Sequence, residues 1–194
     1  MKIKRRSAVR RTRIKTVGDF LKWEPYMSQD YLADILNVEC PAKFIGKQCP
    51  QSLDNITLED LCRLQDAKGL AGIFDAIGAV FYQRTPEQVR KMPATPMFGL
   101  GNMVVKELQR IAGLFELLHR ELTAQEVMAG ADRLNFGIFG LADWYAQRMG
   151  ITNHDEVFRT PWTRIYQCKL NDLQLEEYRE RLQTIQLNEM QQKR

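Results

Sequence analysis

Histidine is nearly absent from this sequence of 194 residues, with only His119 and His154 to supply imidazole chemistry. The first follows Leu118 on an apolar helical pattern, and the second sits in a polar turn before Asp155 and Glu156. Both read as structural residues. No H-E-x-x-H, nucleophile elbow or phosphate loop occurs, so no catalytic, cofactor-binding or metal-binding residues are expected, and an enzyme is not. The four cysteines, Cys40, Cys49, Cys62 and Cys168, match neither C-x-x-C nor zinc-ribbon spacing. Three fall in or beside apolar helical patterns, which fits buried thiols in a reducing compartment. Also missing is any run approaching the roughly 18 to 20 apolar residues of a membrane span, which predicts a soluble protein without a membrane partner. The start has the cations of a signal peptide but no apolar stretch behind them, so export is not expected. Alternating apolar and polar runs, Asn-Gly or Asp-Gly hairpin turns, and a repeat at a fixed period are all missing as well.

What is present is helical. Apolar residues make up 44% of the chain, enough for a full core. Thr16 and Ser28 are placed to cap short helices, the first interrupted at Glu24-Pro25 and the second carrying Tyr31, Leu32, Ile35 and Leu36. Residues 41 to 50 read as a loop with a short turn of helix. Thr57-x-x-Asp60 opens a helix that Gly69 would close, and Leu70, Ile73, Phe74, Ile77, Val80 and Phe81 form the stripe of the next. Thr85-Pro86-Glu87-Gln88 combines an N-cap, a first-turn proline and a capping-box Gln; Pro93 and Pro96 would end that helix.

A long helix is predicted over 102–122, with Leu108, Ile111, Phe115 and Leu118 buried together as its core face. Thr123-x-x-Glu126 restarts helix, Gly150 is placed for a left-handed C-cap, and Asn153 and Thr160-Pro161 mark two further starts. The last helix keeps Leu175, Tyr178, Leu182 and Ile185 on one face. The expected fold is all-α: a multi-helix bundle over 16–194, divisible near 93–101 and 150–160, with a basic extended N-terminal arm over 1–15 and a long C-terminal helix.

Two glycine-rich stretches invite a ligand reading. Phe98-Gly99-Leu100-Gly101-Asn102 precedes the predicted long helix and could aim N–H groups at an anion. It lacks a preceding strand, a third glycine and a Gly-Lys-Ser/Thr ending, so a hinge or tight helix start accounts for it better. Phe136-Gly137-Ile138-Phe139-Gly140 reads as a close helix contact or a kink.

Charge is divided unevenly. Lys2, Lys4, Arg5, Arg6, Arg10, Arg11, Arg13 and Lys15 occur with no acid among them; against a net charge of +4 for the whole chain, they leave the remainder at −4. Such an arm attracts phosphate or an acidic surface, but it carries no aromatic residue on which bases could stack. Of the C-terminal aromatics, which mostly suit a core, Trp162, Tyr166 and Tyr178 are candidates for docking a partner.

The stretch LADWYAQRMGITNHDEVFRTPWTRIYQCKLNDLQLEEYRERLQTI, residues 141–185, resembles the C-terminal parts of small helical proteins encoded in tailed-bacteriophage structural gene clusters. The shared features are a short helix, a Gly-closed turn, the D-E-V start, the P-W helix opening and a long charged helix with a tyrosine. Such proteins include head-tail connector or ring subunits and tail assembly chaperones. The resemblance implies a non-enzymatic, oligomeric virion protein, found in the virion and, during assembly, in the host cytoplasm. Its partners would be copies of itself and other virion proteins, with nonspecific contact to packaged DNA through the arm. A tail assembly chaperone, or a nucleic-acid-binding regulator using the arm, are the alternative expectations.

Overall fold

A computed structural model describes residues 14–118, 123–134 and 136–192, the side chains of Asp132 and Gln192 excepted. It is all-α, with ten α-helices and one two-stranded sheet among the described residues. In chain order the helices are α1 Val17–Trp23, α2 Gln29–Leu36, α3 Leu58–Gln65, α4 Gly69–Tyr82, α5 Pro86–Val89, α6 Ala94–Glu116, α7 Ala124–Met128, α8 Gly137–Met149, α9 His154–Phe158 and α10 Trp162–Gln192; 3-10 turns occupy Glu24–Tyr26 and Ala131–Arg133. No described helix is long and apolar enough to cross a membrane.

The helix starts follow the capping chemistry. Thr16, Thr85 and Thr123 each close a full capping box, with Asp19, Gln88 and Glu126 reaching back to the cap N–H, while Ser28 and Thr57 accept from Tyr31 and Asp60. Gly150 ends α8 in the left-handed conformation.

Three local expectations are corrected. Residues 41–50 hold a hairpin, β1 Lys43–Phe44 against β2 Lys47–Gln48, turned by Ile45 (φ 49°) and Gly46 (φ 73°). Two successive left-handed residues make the turn that suits a two-residue hairpin, although Ile is a costly residue for it. Gly69 opens α4 rather than closing α3, which ends on Asp66. The long helix begins at Ala94, not near Asn102, because Pro96 falls in its first turn, where a missing N–H leaves no helical bond unmade.

The chain divides into two compact units, each made of non-adjacent segments: residues up to Cys49 with Ala67–Met103, and Pro50–Asp66 with Val104–Arg194. One junction therefore falls inside α6, a little beyond the expected 93–101 region, and none falls at 150–160. In the first unit Phe20, Phe74 and Phe98 form a ring cluster, with centroids 4.7 Å apart for Phe20 and Phe98, 6.0 Å for Phe20 and Phe74 and 5.8 Å for Phe74 and Phe98. Residues 36–49 cover this unit's α4 and α6. Asn102 Nδ2 donates to the carbonyls of Leu36 and Val38, Lys47 Nζ donates to Phe81 O at 3.2 Å, and Phe44 packs edge-on to Tyr82. The approach at Gly99 is so close that a Cβ there would lie 2.2 Å from the Glu39 carbonyl oxygen. A larger residue would push this cover away.

The second unit repeats the plan of the first. A Thr-capped helix starts beside the proline that precedes a long helix, at Thr16 and Pro93 in one unit and at Thr57 and Pro161 in the other. The same two backbone bonds make each bridge. Val17 N–H donates to Met92 O (2.9 Å) and Ala94 N–H to Lys15 O (3.0 Å); Leu58 N–H donates to Thr160 O (2.9 Å) and Trp162 N–H to Ile56 O (3.3 Å). Val89 and Val157, one turn before each proline, and Met97 and Ile165, one turn after, are all fully buried. No fixed period reveals this because the paired segments lie at different separations in the two units.

In the second unit Leu53, itself fully buried, is held by a carboxylate. Its N–H donates to Glu107 Oε2 (2.9 Å), Arg110 donates to the same carboxylate (2.8 and 2.9 Å), and Arg110 also reaches Asp54. The Arg110 guanidinium, helped by the Leu53 N–H, holds the Glu107 carboxyl below its ordinary value against the opposing effect of burial. Glu107→Ala strands that N–H and is expected to cost about 1–3 kcal/mol, whereas Glu107→Gln keeps an acceptor and costs less. A depressed folded pKa contributes stability above the ordinary carboxylate value, and that contribution is lost as pH falls through the folded value. The gap between wild type and Glu107→Gln in urea unfolding should therefore narrow as the pH is lowered from neutral to below the ordinary carboxylate value. A gap unchanged between the two would refute the charge's role.

Candidate functional site

The residues proposed from sequence are divided by the structure. Lys2, Lys4, Arg5, Arg6, Arg10, Arg11 and Arg13 lie outside the described residues, as does His119. Lys15 is exposed, and its carbonyl is used in the Ala94 bridge. Trp162 is not a docking residue. It is 1% exposed, its indole Nε1 donates to Leu53 O at 2.7 Å, and its ring packs against Phe115 and Tyr166. Tyr166 is half-buried on the same Phe115 ring, at 5.6 Å, and only Tyr178 stands exposed.

The helix face expected to be core is less enclosed than its periodicity suggested. Ile111 is fully buried, but Leu108, Phe115 and Leu118 are half-buried and Leu117 is exposed; Leu117 and Leu118 lie beyond the end of α6 at Glu116.

The glycine-rich anion reading is excluded by position, since Gly99 and Gly101 lie within α6, where the helix takes up the N–H groups. Gly137, with φ 53°, starts α8, and Gly140 sits within it. His154 stacks on Phe139 (5.0 Å, 23°) with Nε2 3.2 Å from Asp143 Oδ1, which joins α9 to α8. Cys49 is buried with its sulfur 3.8 Å from the Tyr82 hydroxyl, and Cys40, Cys62 and Cys168 are half-buried; burial pushes the thiols of Cys40 and Cys62 up and so keeps them protonated. Among the described residues no group of three or more His, Cys, Asp or Glu side chains is arranged to hold a metal ion.

Large apolar side chains are exposed in both units, Tyr26 of the first being 82% exposed; in the second unit two such surfaces are extended. The first is α10. Its 31 residues run about 46 Å at 1.5 Å per residue. The N-terminal turns are anchored by Trp162 and Ile165, yet every residue from Gln174 to Gln191 is exposed. Leu175, Tyr178, Leu182 and Ile185 fall on one face there and are 45%, 55%, 40% and 55% exposed. Arg179 and Arg181 flank this stripe, and Glu189 continues its line.

The second part is a groove of about 430 Å³, lined by residues that include Leu61, Phe115, Leu134, Phe136, Ile138 and Lys169. Comparison with the first unit explains it. The register that matches Val89, Pro93 and Met97 to Val157, Pro161 and Ile165 carries back to Gly78 in α4 and Ala146 in α8, and the buried positions agree, Phe74, Ile77 and Gly78 in one helix with Ala142, Tyr145 and Ala146 in the other. With those two residues matched, Ala142 stands where the first unit has Phe74, and Leu61 stands for Phe20. Two of the three phenyl rings are thus replaced by smaller side chains. Moreover, α3 is followed directly by α4 of the first unit, so among the described residues no segment after α3 matches the one that follows α1 and covers the first unit. Phe136 (70% exposed) and Leu134 (64%) consequently line an open apolar surface. Lys169, held 4.7 Å over the Trp144 ring, is the one charged side chain among the described residues lining the groove. Sequence periodicity could find the stripe; the groove depends on contacts between distant segments and left no local signal.

No protein-family model, curated protein or solved structure matches this chain.

Proposed function

We propose that the chain is a non-enzymatic structural subunit of a tailed-bacteriophage particle, oligomeric in place, in the manner of a head-tail ring or connector subunit. The observation that carries this reading is the exposed apolar stripe along the outer part of α10. An exposed helix of this length with a regular apolar stripe is costly to leave in water and is put to use when it packs on a neighbour. The basic residues of the N-terminal sequence suit contact with packaged DNA or an acidic neighbouring subunit. The groove favours one alternative, a tail assembly chaperone, whose task would be to shelter an apolar helix of another protein. Quantitative mass spectrometry of purified particles separates the two. A structural subunit is expected at a fixed copy number set by closed rotational symmetry; absence from mature particles would overturn this reading and leave the chaperone.

A further inference from the structure

We infer that the outer part of α10 from one copy of the chain lies in the groove of a second copy, so that successive copies associate head to tail. This deepens the proposed function by naming the contact between subunits, and relies on that reading only for its biological setting.

Each half of the contact is incomplete in the single chain. The groove has the apolar lining of a helix-binding cleft, and among the described residues no segment covers it as residues 36–49 cover the first unit. The helix presents Leu175, Tyr178, Leu182 and Ile185 at the i, i+3, i+7, i+10 spacing by which an amphipathic helix fills such a cleft. A chain cannot satisfy its own groove with this stripe. Lys169 forms part of the groove wall from within α10, and Leu175 follows about 9 Å further along the same continuous helix, with the rest of the stripe beyond it.

Charge selects the pairing. The groove lining contains one charged side chain, Lys169, and the stripe's line contains one, Glu189; docking brings opposite signs to an otherwise apolar contact. Stripe-to-stripe pairing is worse in either direction. With Leu175, Leu182 and Glu189 as a positions and Tyr178 and Ile185 as d positions, a parallel pair sets Glu189 against its own copy. An antiparallel pair with Leu175 opposite Ile185 sets Arg179 against Arg179 and Arg181 against Arg181. Both leave the groove open. A groove-and-helix contact joins two different surfaces, so it repeats from copy to copy and closes into a ring when the rotation allows.

Two surface variants of the full chain test this. Leu182→Glu disables the stripe and Phe136→Glu disables the groove; both residues are exposed, and circular dichroism checks that each variant keeps its helix. In sedimentation across the micromolar range the wild type should self-associate. Each variant alone should associate on the order of a hundredfold more weakly. Mixed together, they should form a complex of one copy of each and stop there, because Phe136→Glu retains a working helix and Leu182→Glu a working groove. A wild type that stays monomeric overturns the inference. So does a Phe136→Glu chain that associates as well as wild type, which would show the stripe pairing with itself, and so does a mixture that forms no complex. Absence from phage particles would leave this contact standing, whereas a monomeric chain would remove the contact without deciding particle content.

Discussion

Trp162→Ala is expected to destabilise the second unit by about 3–5 kcal/mol, the usual cost of emptying a buried indole site. Three interactions meet at this residue. The ring is 1% exposed and packs against Phe115 and Tyr166, its Nε1 hydrogen bond satisfies the Leu53 carbonyl, and its backbone N–H belongs to the Pro161 bridge. Alanine keeps only the last. Trp162→Phe retains much of the ring and loses the hydrogen bond, so it should cost less, about 1–3 kcal/mol from the stranded carbonyl and the smaller volume. Urea unfolding of both variants, with hydrogen exchange of the α8 amides to assign the transition to this unit, measures the difference. If Trp162→Ala cost less than about 1 kcal/mol, the aromatic cluster would not be the anchor of α10 described above.

Phe20→Ala should have a comparable effect on the first unit, also about 3–5 kcal/mol. Phe20 is fully buried and touches the rings of both Phe74 and Phe98, so its removal leaves α1, α4 and α6 without their shared contact. Because the chain comprises two compact units, a single unfolding midpoint is an insufficient readout. Hydrogen exchange of the amides in α4 reports on this unit directly. Protection there should fall while that of α8 stays close to wild type. Equal loss in both helices would mean that the two units unfold as one.

The parts of the fold legible in the sequence are those written within one helical turn. Thr16, Ser28, Thr57, Thr85 and Thr123 each cap a helix through a residue three positions on, and Gly150 ends α8 through its own backbone freedom. The errors come from residues with two uses. Pro96 resembles a helix end but is harmless in a first turn, and Ile45-Gly46 makes a hairpin turn that its composition conceals. Trp162 illustrates why the site was harder to read than the fold. Its helical spacing shows an aromatic near the start of a long helix, but only the distant Leu53 carbonyl decides that the indole faces inward. The stripe of α10 was visible as a pattern, whereas its exposure is a property of the folded unit.

The interleaving of the two units also orders events in time. Residues 58–65 of α3 emerge from the ribosome long before Trp162, whose N–H completes the bridge beside that helix. At synthesis rates of about 5–20 residues per second the interval is roughly 5–20 s. The first unit can close during that interval, because its last segment ends at Met103. Leu58, Leu61 and Leu64, all buried in the finished protein, meanwhile wait on the nascent chain, the Leu58 N–H without the Thr160 carbonyl that later accepts it. The second unit is therefore the one exposed to premature association during synthesis, and it is where a folding helper would act.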